Sequence, residues 1–251
     1  HRAELSSAAD RYELASGHDE LRVPLTWTDG NGVTVTKTFI FKRSMFTVGL
    51  EYAVQNQGAT PWLLRSYARI RRSDPPVERS MFKVDSFAFR GPAIYAQDKP
   101  GEKFRYRKLD MEEPAEVQGL PPQTNGWVAG MQHHFTSAIV PNGTKAYEYS
   151  LTVRGREYTL GVVGPTETVA PGANAVFTEN LFVGPKLQKQ LVTLHPELDR
   201  VADYSWLTLI AKPLFWLLDK AFSVVGNWGL AIIFVTFVLK LLFYPLSEKA
   251  G

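Results

Sequence analysis

Residues 229–246, GLAIIFVTFVLKLLFYPL, constrain this chain more than any other stretch: twelve are Leu, Ile, Val or Phe, and the one formal charge is Lys240. As a helix rising 1.5 Å per residue the run extends about 27 Å, close to the roughly 30 Å of bilayer hydrocarbon. Trp228 and Tyr244 bracket it with rings of the kind that favour the headgroup level. A dozen large apolar residues contribute roughly −4 to −7 kcal/mol to insertion, against about 2.5 to 3.5 kcal/mol lost on one mid-membrane lysine. A spanning helix is therefore expected over 228–247. The alternative is a buried helix of a large soluble core, which the lone lysine keeps open.

The rest of the chain reads differently. With 251 residues, 45% of them apolar and 21% charged, there is material for one large domain or two small ones, and global disorder is excluded. A net charge of +3 without a concentrated basic face gives no reason to expect a nucleic-acid partner. The absence of cysteine removes disulfides, thiolate chemistry and cysteine-ligated zinc together. His1 stands where a methionine would begin a whole protein, so the chain reads as a fragment of a longer one.

Up to residue 184 the pattern is that of short strands. Leu21, Val23, Leu25 and Trp27 alternate with polar residues, Asp29-Gly30-Asn31-Gly32 supplies a hairpin turn, and the return strand occupies 33–42. Phe46, Val48, Leu50, Tyr52 and Val54 form one face of the next strand, which Asn56-Gln57-Gly58 ends. Further strands are expected at 62–70, 82–89, 104–109, 127–140, 146–153, 158–163 and 175–183, with a partial long loop over 98–124. Strands at this spacing with no helical period between them predict a mainly β, antiparallel two-sheet sandwich.

At Pro185 the pattern changes. Residues 185–202 read as a helical linker and 203–226 as an amphipathic helix, kinked at Pro213. In that helix Ser205, Thr208, Lys212, Asp219, Lys220 and Ser223 share about a third of the circumference, leaving the rest to residues that include Trp206, Leu214, Phe215, Trp216 and Phe222. Such a face suits the plane of a membrane interface, or docking onto the β domain. Gly226 and Gly229, around Asn227-Trp228, are expected to permit a sharp change of direction.

No catalytic motif emerges. There is no phosphate-binding glycine loop, no nucleophile elbow and no metal-ligand spacing, and His133 and His134, placed in a strand, would point to opposite faces. Glu112, Glu113 and Glu116 are not marked as an acid/base pair, and the Asn142-Gly143-Thr144 sequon has meaning only in a eukaryotic secretory setting. Lys240 remains: an ionisable residue in a spanning helix marks a functional site, unless its stem carries the ammonium to the interface.

The succession from Asp203 to Ser247 closely resembles the junction between the periplasmic domain and the second transmembrane helix in the YidC family of bacterial membrane protein insertases (YidC/Oxa/Alb), in its Gram-negative form. LRVPLTWTDGNG (21–32), VTKTFIFKR (35–43), FRGPAIY (89–95), GWVAGMQHHF (126–135) and LFVGPKLQ (181–188) agree in order. The resemblance implies a periplasmic β-supersandwich, galactose-mutarotase-like, truncated at its start and covering 1–184, an interfacial helix, and the first helix of an insertase core. It implies a non-enzymatic insertase and chaperone of the bacterial inner membrane, with residues 1 to about 202 in the periplasm. The implied partners are nascent inner-membrane proteins, the lipid bilayer and Sec translocon subunits (SecYEG, SecDF), with the β domain as a docking module and with no cofactor or metal. Lys240 falls where the family usually carries the arginine of a hydrophilic groove, with Thr236, Tyr244 and Pro245 as its neighbours on the groove helix. A carbohydrate-binding or aldose-epimerase-like domain of the same fold is the alternative, and it would need a convergent histidine and carboxylate.

Overall fold

A computed structural model of the chain describes residues 4–73, 89–142, 145–202 and 208–250, the side chains of 208–212 and 245–250 excepted. It separates into two compact units, His1–Ala202 and Asp203–Gly251.

In the first unit the strands are β1 (Ser6–Ser7), β2 (Glu20–Thr28), β3 (Val33–Lys42), β4 (Thr47–Asn56), β5 (Trp62–Leu64), β6 (Tyr67–Ser73), β7 (Gly91–Ala96), β8 (Arg105–Lys108), β9 (Trp127–Met131), β10 (Phe135–Pro141), β11 (Glu148–Arg154), β12 (Glu157–Val163), β13 (Glu167–Val169) and β14 (Asn174–Pro185). Every described pairing is antiparallel. Nine strands form one sheet in the order β1-β2-β3-β4-β14-β10-β9-β7-β8; β11-β12-β6 and β13-β5 form two smaller sheets.

The sandwich follows from which faces are apolar. Ile94, Val128 and Ile139 of the large sheet pack against Tyr149, Leu151, Tyr158, Leu160 and Val162 of the three-stranded sheet. The opposite face of the same strands presents Ala93, Trp127, Ala129, Met131 and Ala138. It is covered by helix α2 (Gln188–Leu194) through Leu191, and by a 3-10 turn (Leu198–Val201) through Leu198 and Val201. With both faces of β9 covered, all five of its residues are buried. At the other end of the large sheet Val33 and Val54 pack with Val169 of β13, flanked by Trp62 and Leu64 of β5. The two small sheets thus roof opposite ends of the large one.

The hairpin expected at 29–32 is present. Asp29 Oδ1 accepts from the N–H groups of Asn31 (2.8 Å) and Val33 (2.9 Å), and β2 and β3 pair from Glu20↔Lys42 to Thr28↔Thr34. Two expected single strands are each two. The run 62–70 divides into β5 and β6, which join different sheets, because the chain turns where Gly164 meets Arg65 and Ser66: Arg65 Nε donates to Gly164 O (2.8 Å) and Gly164 N to Ser66 O (2.9 Å). The run 127–140 is a hairpin, its turn closed by Gln132 N donating to Phe135 O (2.9 Å). His133 and His134 therefore lie in a turn and not in a strand, and their rings stack at 3.9 Å instead of pointing apart. β7, with five of its six residues buried, was not expected as a strand, having no alternation to reveal it. Within 98–124, expected as partly loop, lie β8 and the single helical turn α1 (Ala115–Gln118). The expected strand at 82–89 falls, but for its last residue, outside the described residues.

The second unit is a pair of helices, α3 (Thr208–Val225) and α4 (Trp228–Ala250). Pro213 lies inside α3. Gly226 sits between them at φ 68° and its N–H donates to Phe222 O (2.7 Å), a left-handed C-terminal cap that glycine adopts without steric cost. Gly229 is already helical, so the change of direction uses one glycine and not two. Asn227 caps α4, its Oδ1 accepting from Gly229 N (2.8 Å) and Leu230 N (3.2 Å).

Candidate functional site

Two surfaces invite a partner, one in each unit. In the helical unit Ala221, Ala231 and Val235 form a buried seam with Leu217, Leu218, Phe222 and Leu239, and the Phe222 and Trp228 rings stack at 4.0 Å across the turn. That seam uses only part of the apolar surface. Phe215, Trp216, Val224, Ile232, Ile233, Phe234, Phe237, Leu241, Leu242 and Phe243 are all about half exposed or more, Ile233 at 66% and Val224 at 85%. Contiguous exposure of this kind marks an interaction surface.

Of the residues singled out in sequence, Leu214 and Phe222 are half-buried, and Phe215, Trp216, Trp228, Thr236, Lys240 and Tyr244 are exposed. Trp206 lies outside the described residues, and so does the side chain of Pro245. Thr236, Lys240 and Tyr244 are spaced four apart on α4 and share one face. The Thr236 hydroxyl donates to Ile232 O (2.7 Å), one turn back, which satisfies it within its own helix. Among the described residues no helix is long and apolar enough to cross a membrane. The described side chains of α4 stop at Tyr244, before the apolar run ends at Leu246.

In the sandwich, the gap between the two roofing sheets is a cleft of about 830 Å³. Its floor is one face of the large sheet: Val35, Lys37 and Phe39 of β3, Leu50, Tyr52 and Val54 of β4, and Phe177 and Leu181 of β14, all in the same register of their strands. Lys37 is half-buried, with its Nζ 4.8 Å from the Phe39 ring centre and 5.4 Å from that of Tyr52. Burial lowers its pKa, and the neighbouring Glu179 carboxyl opposes that shift.

Glu179, between Phe177 and Leu181 on β14, is 1% exposed. Neither carboxyl oxygen meets a donor in good hydrogen-bonding geometry. Burial raises its pKa, and the Ser66 hydroxyl and the Lys37 ammonium offset that only in part. A carboxyl with a raised folded-state pKa stabilises the fold below its unfolded pKa, near 4.5, and that contribution is lost as pH rises through the folded value. Urea unfolding is therefore expected to show wild type losing stability relative to Glu179→Gln from pH 4.5 upward, the variant being the more stable at pH 8. A pH-independent difference between the two would contradict this. Sequence reasoning missed Glu179; its one signal was a charge in the inward register of an otherwise apolar strand face.

Among the described residues no group of three or more His, Asp or Glu could hold a metal ion. Glu112 and Glu113 precede α1 and Glu116 lies in its first turn, all away from the cleft lining. The described residues thus form an antiparallel β-sandwich unit and a helical unit with an exposed apolar surface, and no metal-ligating group of three or more lies among them.

The chain belongs to the YidC periplasmic domain family, whose model matches residues 1–217. Its curated relatives include the membrane protein insertase YidC of Thioalkalivibrio sulfidiphilus, 40% identical over all of this chain and 44% of that protein, and that of Nitrosococcus oceani, 39% identical over 98% of this chain and 44% of that protein. The chain thus spans less than half the length of these relatives. Solved structures similar to it include a putative aldose 1-epimerase of Escherichia coli (14% identity, TM-score 0.40, 68% of each chain) and an α-galactosidase of Geobacillus stearothermophilus (10% identity, TM-score 0.46, 77% of this chain and 29% of that one). Likeness at that level carries no argument about function. The family match favours the insertase assignment over the carbohydrate-binding or epimerase-like alternative.

Proposed function

We infer that this chain is the membrane-proximal portion of an insertase that assists the insertion and folding of bacterial inner-membrane proteins. The match along the whole chain to relatives named membrane protein insertases carries this reading. In it the sandwich stands in the periplasm and residues 185–202 lead from it towards the bilayer. The helix over 203–226 lies in the interface plane through Trp206, Leu214, Phe215, Trp216 and Phe222. The segment 228–247 crosses the bilayer with Trp228 and Tyr244 at its two interfaces. The large exposed side chains of α3 and α4 are what such a placement would use, since lipid covers them at no desolvation cost.

Lys240, with Thr236, Tyr244 and Pro245 on the same helix, supplies the cation of a hydrated groove. There it shortens the apolar path for polar segments of a nascent substrate. Lysine keeps the charge of the family's usual arginine without its planar fork, so it acts by attraction and not by bidentate pairing. No bond is made or broken, which accords with relatives that are insertases and not enzymes in the usual sense. The sandwich serves as a docking module for Sec translocon subunits such as SecYEG and SecDF.

The test is insertion of a reporter membrane protein in cells whose own insertase has been depleted and replaced by the intact protein containing this chain. Lys240→Arg is expected to support insertion fully and Lys240→Ala to lower it about tenfold, which corresponds to about 1.4 kcal/mol. Equal insertion by Lys240→Ala and wild type would mean that the ammonium only reaches for the interface. Failure of wild type to support any insertion would overturn the assignment. Crosslinking from the sandwich surface in native membranes checks the docking role, and adducts with no translocon subunit would count against it.

A further inference from the structure

The cleft of the sandwich has a wall of different character from its floor. The floor strands contribute alternate residues, as a sheet face must, but the wall contributes Leu64, Arg65, Ser66, Tyr67, Ala68 and Arg69 without a gap. Leu64 ends β5 and Arg65 and Ser66 form the bend, but Tyr67, Ala68 and Arg69 are consecutive in β6, and a strand that lines a cavity with consecutive residues presents its edge. Among the described strands β6 is indeed an edge, paired with β12 on one side alone.

The register says which backbone groups that edge offers. Gly164 N donates to Ser66 O (2.9 Å), and the ladder continues from Val163↔Tyr67 to Glu157↔Ser73. In an antiparallel pair, alternate residues turn both N–H and C=O towards the partner, so Ser66, Ala68 and Ile70 face β12 while Tyr67 and Arg69 turn theirs to the cleft.

We propose that this cleft binds an extended apolar peptide segment, which adds to the free edge of β6 as a further strand and lays alternate side chains on the aromatic floor. The inference concerns the sandwich alone and stands whether or not the helical unit enters a membrane. Main-chain pairing supplies affinity, and the hollows between Trp27, Trp62, Phe39 and Phe177 supply side-chain selection. An acyl chain matches the floor but leaves the edge amides of Tyr67 and Arg69 unused; only a second backbone answers both.

The charges restrict the peptide further. The charged residues of the lining are Lys37, Arg65 and Arg69; Arg65 is offset by Glu148 at 2.8 Å, Arg69 lies over Tyr67 at 5.2 Å and Lys37 rests on the rings of Phe39 and Tyr52, so the lining is cationic and disfavours basic segments.

The experiment is calorimetric titration of the full 251-residue chain in lipid nanodiscs with a capped hexapeptide of alternating valine and serine. Saturable one-to-one binding is expected. N-methylation of the peptide's edge-facing amides, which keeps its apolar content, should weaken binding tenfold or more, and so should a central lysine in place of valine. Arg69→Pro removes the free edge N–H, a position where an edge strand tolerates proline, and should abolish binding; Lys37→Met, which leaves the backbone untouched, should relieve the penalty on the lysine-bearing peptide. The proposal is overturned if no saturable binding occurs, if the N-methylated peptide binds as well as its parent, or if decanoate or maltose binds as tightly as the peptide.

Discussion

Replacing Ile233 with aspartate is expected to expel α4 from the bilayer. At the centre of a spanning helix isoleucine contributes about −0.3 to −0.6 kcal/mol to insertion and aspartate opposes it by about 2.5 to 3.5 kcal/mol; Ile233 lies little more than one turn from the midpoint of 228–247, so the change is about 2 to 3 kcal/mol, roughly thirtyfold or more in the inserted fraction. Ile233 is 66% exposed. Were that surface wetted by water, aspartate would cost about 0.5 kcal/mol or less and would improve solubility. Of the two settings, only the lipid makes the substitution costly. Alkaline extraction of membranes carrying the chain separates them: wild type should remain in the pellet, and Ile233→Asp should appear in the supernatant.

Trp127→Ala is the substitution expected to cost the sandwich most, about 3 to 5 kcal/mol. Trp127 is 0% exposed, stacks on Tyr95 at 5.7 Å and tilts against Tyr106 at 5.8 Å. The same cluster includes Leu191, Leu198 and Val201 of the segment that ends the first unit. His195 joins it edge-on to Tyr95 at 5.3 Å, its Nδ1 accepting from Glu197 N (3.1 Å), and burial lowers its pKa so that the neutral ring is favoured. Removing the indole therefore empties the ground on which α2 and the 3-10 turn rest, and the loss is shared between sheet and linker. Urea unfolding measures the total. Amide exchange across 188–201 checks its distribution, and protection there unchanged from wild type would show that the linker is held by something else.

The parts of the fold legible in sequence are those with one wet face. β2, β3 and β4 alternate because one side meets solvent, and β3 falls at the limits expected for it. Legibility fails where both faces are dry. β7 has no polar register to betray it, and the turn within 127–140 is made of Gln132, His133 and His134, with no proline or Asn-Gly pair to mark it. The division of 62–70 was hidden for another reason: a strand that passes from one sheet to another can keep its alternation through the bend at Arg65 and Ser66.

The candidate sites divide the same way. Lys240 and its neighbours were visible because a charge within an apolar helix is conspicuous one residue at a time. The cleft was not, since its floor joins β3 and β4 to β14, more than a hundred residues further along the chain, and its wall is made by β6 of another sheet. Burial raises the Glu179 pKa while the Ser66 hydroxyl and the Lys37 ammonium oppose the rise, and sequence spacing can register none of the three.

The most direct test of the whole account is the depth of α4. Because the chain has no cysteine, Phe237→Cys and, on the sandwich, Val176→Cys each give a single site for a nitroxide label, at positions 60% exposed in both cases. In proteoliposomes the Phe237 label should collide readily with oxygen and hardly at all with a water-soluble nickel chelate, and the Val176 label should do the reverse. Equal access of the nickel chelate to both would place α4 in water and contradict the assignment of this chain to the membrane.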